Sequence, residues 1–344
     1  MTRHVIRRLL QAVPLLLIIS LILFILVNNM ADPVASFAGG RRRIRPEDYQ
    51  RIAHQLGLDQ PLPVQYVIWL VGNDWMRVDM DGDGVADEHG PRLGILRGDL
   101  GNSFMERRPA ATVIVERIPA TLLLMVTCEV VVIFFSLLVG IYSALRQYSL
   151  SDHVITGLAF VGYSMPIFWL SLMLMYVFAV NCRNWGLPYL PSTGMYDLAA
   201  GASFGQIVWH LILPVASMSI VSVAGYSRYI RAQMLEVISQ DYVRTAHAKG
   251  LPERLVVMRH ALKNAALPFV TIVGMDIPLL IGGATVTETI FAWPGMGRLF
   301  YEAASDADVP VLMGLMLILS VLVVVFQIIT DVTYTFLDPR IRYD

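Results

Sequence analysis

Residues Leu9–Met30, with the sequence LLQAVPLLLIISLILFILVNNM, decide the class of the fold. The stretch has 22 residues and no charge, and a helix needs about 20 apolar residues to cross a hydrocarbon core ~30 Å thick. Val309–Ile329 is a second charge-free run, of 21 residues. Only 15% of the 344 residues are charged and 56% are hydrophobic, whereas an average soluble domain is about 25% charged. The sequence therefore predicts an integral membrane protein.

Several classes of function are excluded by what the sequence lacks. The formal net charge of −1 gives no reason to expect nucleic acid or another polyanion as a partner. Two cysteines, Cys128 and Cys182, are too few for a disulfide framework or a cysteine metal site. No GxxxxGK[ST] phosphate loop occurs in the sequence. The chain is therefore expected to be no enzyme, and any energy from a nucleotide has to enter through another chain.

Six transmembrane helices are predicted, so the expected fold is an all-α integral membrane protein. The fourth and fifth are less apolar than the others, and polar or proline-broken helices are tolerated where they face protein or a water-filled path. The predicted spans are Leu9–Met30, Ala120–Leu145, Ile155–Val180, Ile207–Tyr229, Pro268–Phe291 and Val309–Leu337.

The distribution of basic residues predicts that both termini are cytoplasmic. With the N-terminus inside, the inner segments hold 13 of the 26 Lys and Arg residues, whereas the two short outer loops hold only Arg183 and Arg298. Basic residues of short loops stay on the cytoplasmic side. The first apolar stretch is too long for a cleaved signal peptide, and no small-residue cleavage site follows it closely. We therefore expect it to remain as the first span.

The loop between the fourth and fifth spans has a distinctive pattern. A helix is predicted over Ile230–Ala248 and stopped by Gly250, and a second helix is predicted from Pro252 to about Ala266. From Arg228 to Lys263 the loop carries seven Arg or Lys residues against three acids. Two interpretations fit this pattern: an ordinary basic cytoplasmic loop, or a docking element for a soluble partner.

The sequence DYVRTAHAKGLPERLVVMRHALKN, Asp241–Asn264, resembles the cytoplasmic signature of permease subunits of ATP-binding cassette (ABC) importers, in their dipeptide/oligopeptide/nickel branch. In that family the segment forms a coupling helix that inserts into a groove on the ATPase subunit. The general pattern of Glu-Ala-Ala and a later Gly is matched only at Ala246 and Gly250, although the peptide branch commonly shows the RTAxAKG form. The resemblance assigns ATPase coupling to Arg244, Thr245, Ala246, Lys249, Gly250 and Arg254.

The resemblance extends along nearly the whole chain. Its landmarks include IRRLLQAVPLLLIIS, GDLGNSF, VGYSMPIFWL, TETIFAWPGMGRLFYEA and LDPRIRY, in that order. It divides the chain into residues 1–30 with the first span, an extracytoplasmic insertion at 31–117, and a permease core at 118–344 with a coupling loop at 228–267.

The resemblance also implies partners and a location. The partners are a second homologous permease subunit, two ABC ATPase subunits that hold the ATP, an extracytoplasmic binding protein and membrane lipid. The location is the bacterial or archaeal plasma (inner) membrane. Peptides are the default substrate, although the branch also carries nickel chelates, opines and sugars.

An acidic stretch in the outer loop, VDMDGDGVADEHG at Val78–Gly90, is similar to a calcium loop. Asp79, Asp81, Asp83 and Asp87 alternate as in an EF-hand, but the twelfth position is Gly90 instead of a bidentate Glu. One interpretation is a weak structural Ca²⁺ site on the outer face. The other is a polar hairpin whose Asp and Gly residues serve turn chemistry.

Three acids fall inside predicted spans. Intramembrane acids are costly and usually face the bundle interior, so Glu129, Asp276 and Glu288 are candidates for the translocation pathway, with helix-to-helix hydrogen bonding as the alternative for Glu129. Two other functions use these residues: a calcium-responsive channel and an ion-coupled secondary transporter. Neither accounts for the loop at 228–267.

Tyr163 and Trp169 lie beside Pro166 in the predicted third span and fit a kinked helix. For these two side chains, packing is preferred over a role in the substrate wall.

Overall fold

A computed structural model of the chain describes residues 2–30, 60–78, 88–90 and 92–337, together with positions 34, 45, 49, 53 and 58. The described part is mostly helical, as predicted. Its α-helices are α1 (Thr2–Met30), α2 (Leu62–Val71), α3 (Ala110–Leu145), α4 (Leu150–Ser164), α5 (Ile167–Met175), α6 (Cys182–Asn184), α7 (Phe204–Ile238), α8 (Asp241–Ala248), α9 (Glu253–Leu255), α10 (Leu262–Ile290), α11 (Met296–Ser305) and α12 (Val309–Leu337). The other elements are π-helical stretches at Tyr176–Asn181 and Val256–Ala261, a 3₁₀ turn at Ile95–Arg97, and the strands β1 (Arg77–Val78) and β2 (Glu88–His89).

Within the described residues, five helical segments are long and apolar enough to cross a membrane. They are Ile6–Asn29, Ala110–Leu145, Ile167–Asn184, Phe204–Ile238 and Val309–Thr330. A sixth results if Glu253–Ala266 and Pro268–Gly274, which meet at a bend of 42°, count as one span. The predicted multi-span helical fold is confirmed at this level.

The third span differs from its predicted limits. Ile155–Val180 was expected as one helix, but α4 ends at Ser164 and α5 begins only at Ile167. Met165 is extended, with φ −80° and ψ 129°, because the ring of a following proline disfavours the helical region. The span-length helix therefore starts after Pro166 and continues through the π-helical stretch to Asn184.

The helix boundaries in the basic loop were also predicted wrongly. Instead of one helix over Ile230–Ala248, α7 runs from the membrane to Ile238 and α8 begins at Asp241. Gln240 between them is extended, with φ −74° and ψ 148°. Pro268 does not start a new helix either, because the chain is already helical from Leu262 and bends there.

The chain divides into two compact units. The first comprises Ala120–Arg298 with Met1–Val5 and Val325–Asp344. In this unit α7 packs against α4, α5 and α10. Ile230 and Met234 of α7 are fully buried against Ala261 and Phe269 of the following helices. Gly140 of α3 permits close approach there, because a Cβ atom would lie 2.7 Å from Ile230.

The second unit comprises Ile6–Pro119 and Leu299–Val324. Its core contains Phe24 of α1, Phe104 of the outer loop, and Val309 and Met313 of α12. Asp308 fixes the outer loop here: its carboxylate accepts hydrogen bonds from Ser103 Oγ at 2.5 Å and from the Phe104 N–H at 3.1 Å. The GNSF segment is thus held by a buried carboxylate at the start of α12.

Candidate functional site: the basic loop between the fourth and fifth spans

Helix α8 is the central element of the predicted coupling loop. Val243 and Ala246 lie one turn apart on the same face and are 1% and 5% exposed. They form a small apolar cluster with Val256, and Val237 and Leu251 pack against it. The Thr245 hydroxyl donates to the Asp241 carbonyl at 2.9 Å. One face of α8 is therefore attached to the protein, and the opposite face is turned to solvent.

The turn after α8 depends on glycine. Gly250 has φ +73° and its N–H donates to the His247 carbonyl at 2.9 Å. Nothing lies within 4 Å of the position that a Cβ atom would occupy. The requirement for glycine is thus conformational, because a left-handed residue with a side chain is strained even in open space.

The six predicted coupling residues separate into two groups. Ala246 belongs to the buried face, whereas the others are exposed. Arg244 lies 3.7 Å from Asp241, but both side chains are exposed, by 74% and 100%, and such an ion pair contributes little to stability. The exposed members, available to a partner, are Arg244, Thr245, Lys249, Gly250 and Arg254.

The seven basic residues of the loop also differ in what they contact. Arg228 stacks over the rings of Phe160 and Tyr163 at 4.8 and 4.6 Å, and Arg231 forms an ion pair with Asp152. The remaining five are exposed, so the loop presents a surface of positive charge: Arg244, Lys249, Arg254, Arg259 and Lys263.

The Asp152–Arg231 ion pair was not anticipated from the sequence. Asp152 is 3% exposed and accepts two hydrogen bonds from Arg231, at 3.0 Å from Nε and 2.8 Å from Nη2. Ser143 and the Tyr148 N–H donate to the same carboxylate. The Arg231 guanidinium, followed by the Ser143 hydroxyl, holds the pKa of Asp152 well below its usual range. Helices α3, α4 and α7 thus meet at one carboxylate.

A hydrogen bond beside the apolar cluster also holds helix α8. Asn264 of α10 donates from Nδ2 to the Tyr242 hydroxyl at 3.2 Å. Together with the apolar cluster around Val243, this contact attaches α8 to the end of α7 and to the start of α10. A displacement of α8 therefore has to move two long helices that pack against each other.

Glu288, a predicted pathway residue, is 0% exposed. Its carboxylate accepts a hydrogen bond from Thr121 Oγ1 at 2.8 Å and from the Arg298 N–H at 2.9 Å. The Trp293 indole N–H in the same turn donates to the Ala120 carbonyl at 2.9 Å. Glu288 thus joins the first turn of α11 to α3.

The other two acids are less fully described. Glu129 is half-buried on α3 beside the buried Cys128, and the side chain of Asp276 lies outside the described residues. The pathway role of Glu129, Asp276 and Glu288 stays a prediction.

The break in the third span forms an open apolar cavity of about 580 Å³. Tyr163 beside it is 57% exposed, and Trp169 in its wall is 43% exposed. The predicted kink is present, but these two side chains are not packed inside the chain as preferred from the sequence. The cavity is lined by Phe160, Val161, Ser164, Met165, Pro166, Phe168 and Trp169.

The predicted calcium residues of the acidic loop, Asp79, Asp81, Asp83 and Asp87, lie outside the described residues. Its flanks are described: β1 and β2 pair antiparallel, with Arg77 opposite His89. A strand pair differs from the two helices of an EF-hand. Among the described residues, no group of three or more His, Cys, Asp or Glu is arranged to hold a metal ion.

These features define a multi-span helical membrane protein with an exposed basic helix and turn between two of its spans. Residues 136–343 match the family described as the binding-protein-dependent transport system inner membrane component. Residues 1–125 match the family of the N-terminal part of such components. The chain belongs to the binding-protein-dependent transport system inner membrane component family, and it is a multi-pass permease subunit of the inner membrane.

Relatives with assigned names cover the chain completely. The oligopeptide transport system permease protein AppB of Bacillus subtilis (strain 168) is 37% identical, over 100% of both chains. The dipeptide transport system permease protein DppB of Escherichia coli (strain K12) is 35% identical, over 100% of this chain and 99% of DppB. The predicted membership is confirmed, and the channel and secondary-transporter alternatives find no support.

Solved structures show the same fold at low identity. A chain of the MetNI methionine ABC transporter, in an inward-facing conformation, aligns with a TM-score of 0.52 and 14% identity. The alignment covers 66% of this chain and 96% of that chain. The helical architecture is therefore that of an ABC importer permease.

Proposed function

We propose that this chain forms half of the translocation pathway of an ATP-driven importer for peptides or similar small solutes. The other half comes from a second homologous permease subunit, and an extracytoplasmic binding protein delivers the solute. Support comes from full-length relatives named as oligopeptide and dipeptide permeases.

The proposal that an ATPase subunit docks here rests on the exposed basic surface of α8 and of the turn that follows it. Arg244, Lys249 and Arg254 are exposed, while the buried face of α8 is attached to α7 and α10 through Val243 and Asn264. A partner with acidic residues in its docking groove fits this surface by charge. Hydrolysis itself belongs to two separate ATPase subunits, since no phosphate loop occurs in the sequence, and the chain acts as a transport subunit without catalysis.

Coupling then follows from packing. Closure of the ATPases displaces α8, and because α8 is attached to α7 and α10, the displacement reaches the membrane-spanning helices. Packed helices shift between discrete arrangements instead of deforming continuously. The two permease subunits can thereby alternate between inward-facing and outward-facing states.

The first experiment tests docking. The complex is purified in mild detergent through a tag on this chain, and the recovered ATPase is quantified for wild type and for Arg244→Glu/Arg254→Glu. Arg183→Glu, in the predicted outer loop, is the matched control because it also reverses an exposed arginine. Loss of the ATPase in the double variant alone is expected. Equal recovery in all three proteins would contradict docking through α8.

The second experiment tests the substrate class. Uptake of labelled dipeptides and oligopeptides into proteoliposomes is measured with the complete complex, ATP and the binding protein. ATP-dependent peptide uptake is expected. Uptake of nickel chelates, opines or sugars, with none of peptides, would reassign the substrate while leaving the permease role in place.

The acidic loop is proposed to hold a structural Ca²⁺ ion through Asp79, Asp81, Asp83 and Asp87. The alternating acids followed by Gly84 support it, whereas the strand pair at its base suits the polar hairpin equally well. A rise in the thermal midpoint of the complex with added Ca²⁺, absent in Asp81→Asn/Asp83→Asn, is expected. If Ca²⁺ does not raise the thermal midpoint of the wild-type complex, the calcium site is contradicted and the interpretation as a polar hairpin remains.

A further inference from the structure

Helix α2 has a composition that its place in a predicted outer domain does not explain. Its ten residues are LPVQYVIWLV, and no charge occurs between Asp59 and Asp74. Apolar stretches of about 10 to 14 residues are typical of core helices or of segments that enter a membrane without crossing it. A core helix buries its side chains, but not one residue of α2 is buried.

The first contact of α2 lies deep along the first span. The Tyr66 hydroxyl is 2.8 Å from Ser20 Oγ and also donates to the Leu17 carbonyl at 3.4 Å. Both partners lie in the middle of the candidate span Ile6–Asn29. At 1.5 Å per residue, Ser20 is about 14 Å along the helix from Asn29. Tyr66 therefore reaches towards the middle of the hydrocarbon layer.

A second contact gives the same depth independently. Tyr66 and Trp69 pack around the ring of Phe24, with centroid distances of 5.5 and 5.6 Å. Both also pack on the cluster that includes Val309 and Met313, at the start of the last span. Met313 lies a full turn beyond the start of α12. Helix α2 therefore contacts two spanning helices, α1 and α12, within their membrane-spanning parts.

The polar groups of α2 are also arranged as a membrane segment requires. At its C-terminal end Arg97 donates from Nη2 to the Val71 carbonyl at 2.8 Å, and pairs with Asp74 just beyond the helix. At its N-terminal end Gln65 donates to the Gln60 carbonyl at 2.7 Å, and Pro63 has no N–H to satisfy. Backbone groups in hydrocarbon have to be satisfied internally.

We propose that α2 is inserted into the bilayer, in the half on the side of Asn28, with its outer face against lipid acyl chains. This face carries Val67 and Val71, which lie one turn apart and are 44% and 40% exposed. The first span likewise presents exposed apolar side chains, among them Ile22 and Ile25. The segment is thus a short membrane-embedded helix rather than part of a soluble outer domain.

Site-directed spin labelling of the complete complex in nanodiscs tests this proposal. Labels are placed at Val67→Cys, at Ile22→Cys of the first span, and at Leu96→Cys, which is 69% exposed outside the apolar helices. The background is Cys182→Ala, since the remaining Cys128 is buried. Collision of each label with oxygen, which concentrates in lipid, is compared with collision with a water-soluble nickel chelate.

The expected result is that Val67 resembles Ile22, with frequent oxygen collisions and few nickel collisions, whereas Leu96 shows the reverse. Frequent nickel collisions at Val67 would place α2 in water and overturn the proposal. Few collisions with either reagent would also overturn it, because the face would then be covered by protein, such as the second permease subunit. Each label replaces an exposed side chain, so folding is expected to be retained.

Discussion

Gly250 ends α8 with φ +73° and donates its N–H to the His247 carbonyl. Substitutions at this position therefore test whether the left-handed backbone conformation is what coupling requires. Alanine in the left-handed region costs about 1 to 2 kcal/mol, asparagine tolerates that region, and proline has neither the φ angle nor the N–H. We expect transport per ATP hydrolysed to fall in the order glycine, asparagine, alanine, proline. Uptake and ATPase activity are measured together in proteoliposomes, and normal uptake by Gly250→Pro would contradict the role of the turn.

Removing either partner of the Asp152–Arg231 ion pair is expected to destabilise the protein, but by different amounts. Arg231→Gln leaves a buried carboxylate without its counter-charge, and removing one partner of a buried ion pair costs about 3 kcal/mol or more. Asp152→Asn is expected to cost less, because the Arg231 side chain is 26% exposed and can turn to water. The thermal midpoint of the purified complex should therefore fall further for Arg231→Gln.

The double variant Asp152→Asn/Arg231→Gln is the control, and it should be more stable than Arg231→Gln alone because no buried charge remains. The pH dependence has a definite sign. Since the pKa of Asp152 is lowered on folding, the stabilisation is present at neutral pH. It is lost only as the pH falls below the ordinary Asp range of about 4. Equal midpoints for all variants would show that the ion pair contributes nothing.

At the scale of elements, the attachment of α8 can be tested apart from its exposed surface. Val243→Ala removes two methyl groups from the cluster with Ala246 and Val256, at a cost of about 1 to 2 kcal/mol. The exposed basic residues are unchanged, so the ATPase should still bind, while transport per ATP falls. His247→Ala on the exposed face is the matched control and should leave both quantities unchanged. Loss of ATPase binding in Val243→Ala would mean that the cluster shapes the docking surface itself.

The sequence predicts elements best where one physical requirement dominates. The helix Val309–Leu337 was predicted with its observed ends and Leu9–Met30 with its observed C-terminal end, although α1 begins already at Thr2. Long charge-free runs have few alternatives to a spanning helix. The break at Met165 follows from Pro166 and could have been read from the sequence. The break at Ser239–Gln240 has neither glycine nor proline, so local signals do not reveal it.

In the candidate site, features set by neighbouring residues could be predicted from the sequence, whereas contacts between distant residues could not. The left-handed turn at Gly250 and the exposure of Arg244 and Arg254 follow from local sequence, and the structure shows both. The burial of Ala246 depends on Val256, and the Asp152–Arg231 pair joins residues 79 positions apart. Tertiary contacts of this kind leave no local pattern in a single sequence.

At the scale of the whole molecule, the main prediction concerns orientation. The excess of basic residues predicts that both termini and α8 face the cytoplasm. Five of the loop's basic side chains are exposed on the protein surface. The Arg97 region beyond α2 is then outside. Single cysteines at Thr245 and Leu96, both exposed positions, report the two sides in the Cys182→Ala background.

A membrane-impermeant maleimide is added to intact spheroplasts or protoplasts that express each variant. Leu96→Cys should react at once, whereas Thr245→Cys should react only after the membrane is opened. The physical reason is that the membrane resists outward transfer of basic loops during insertion, and the 228–267 loop is the most basic of the short segments. The reverse labelling pattern would invert the topology, and α8 could then no longer meet an ATPase that hydrolyses cytoplasmic ATP. Docking of the ATPase at α8 therefore requires that the termini are cytoplasmic, and the labelling experiment tests both predictions at once.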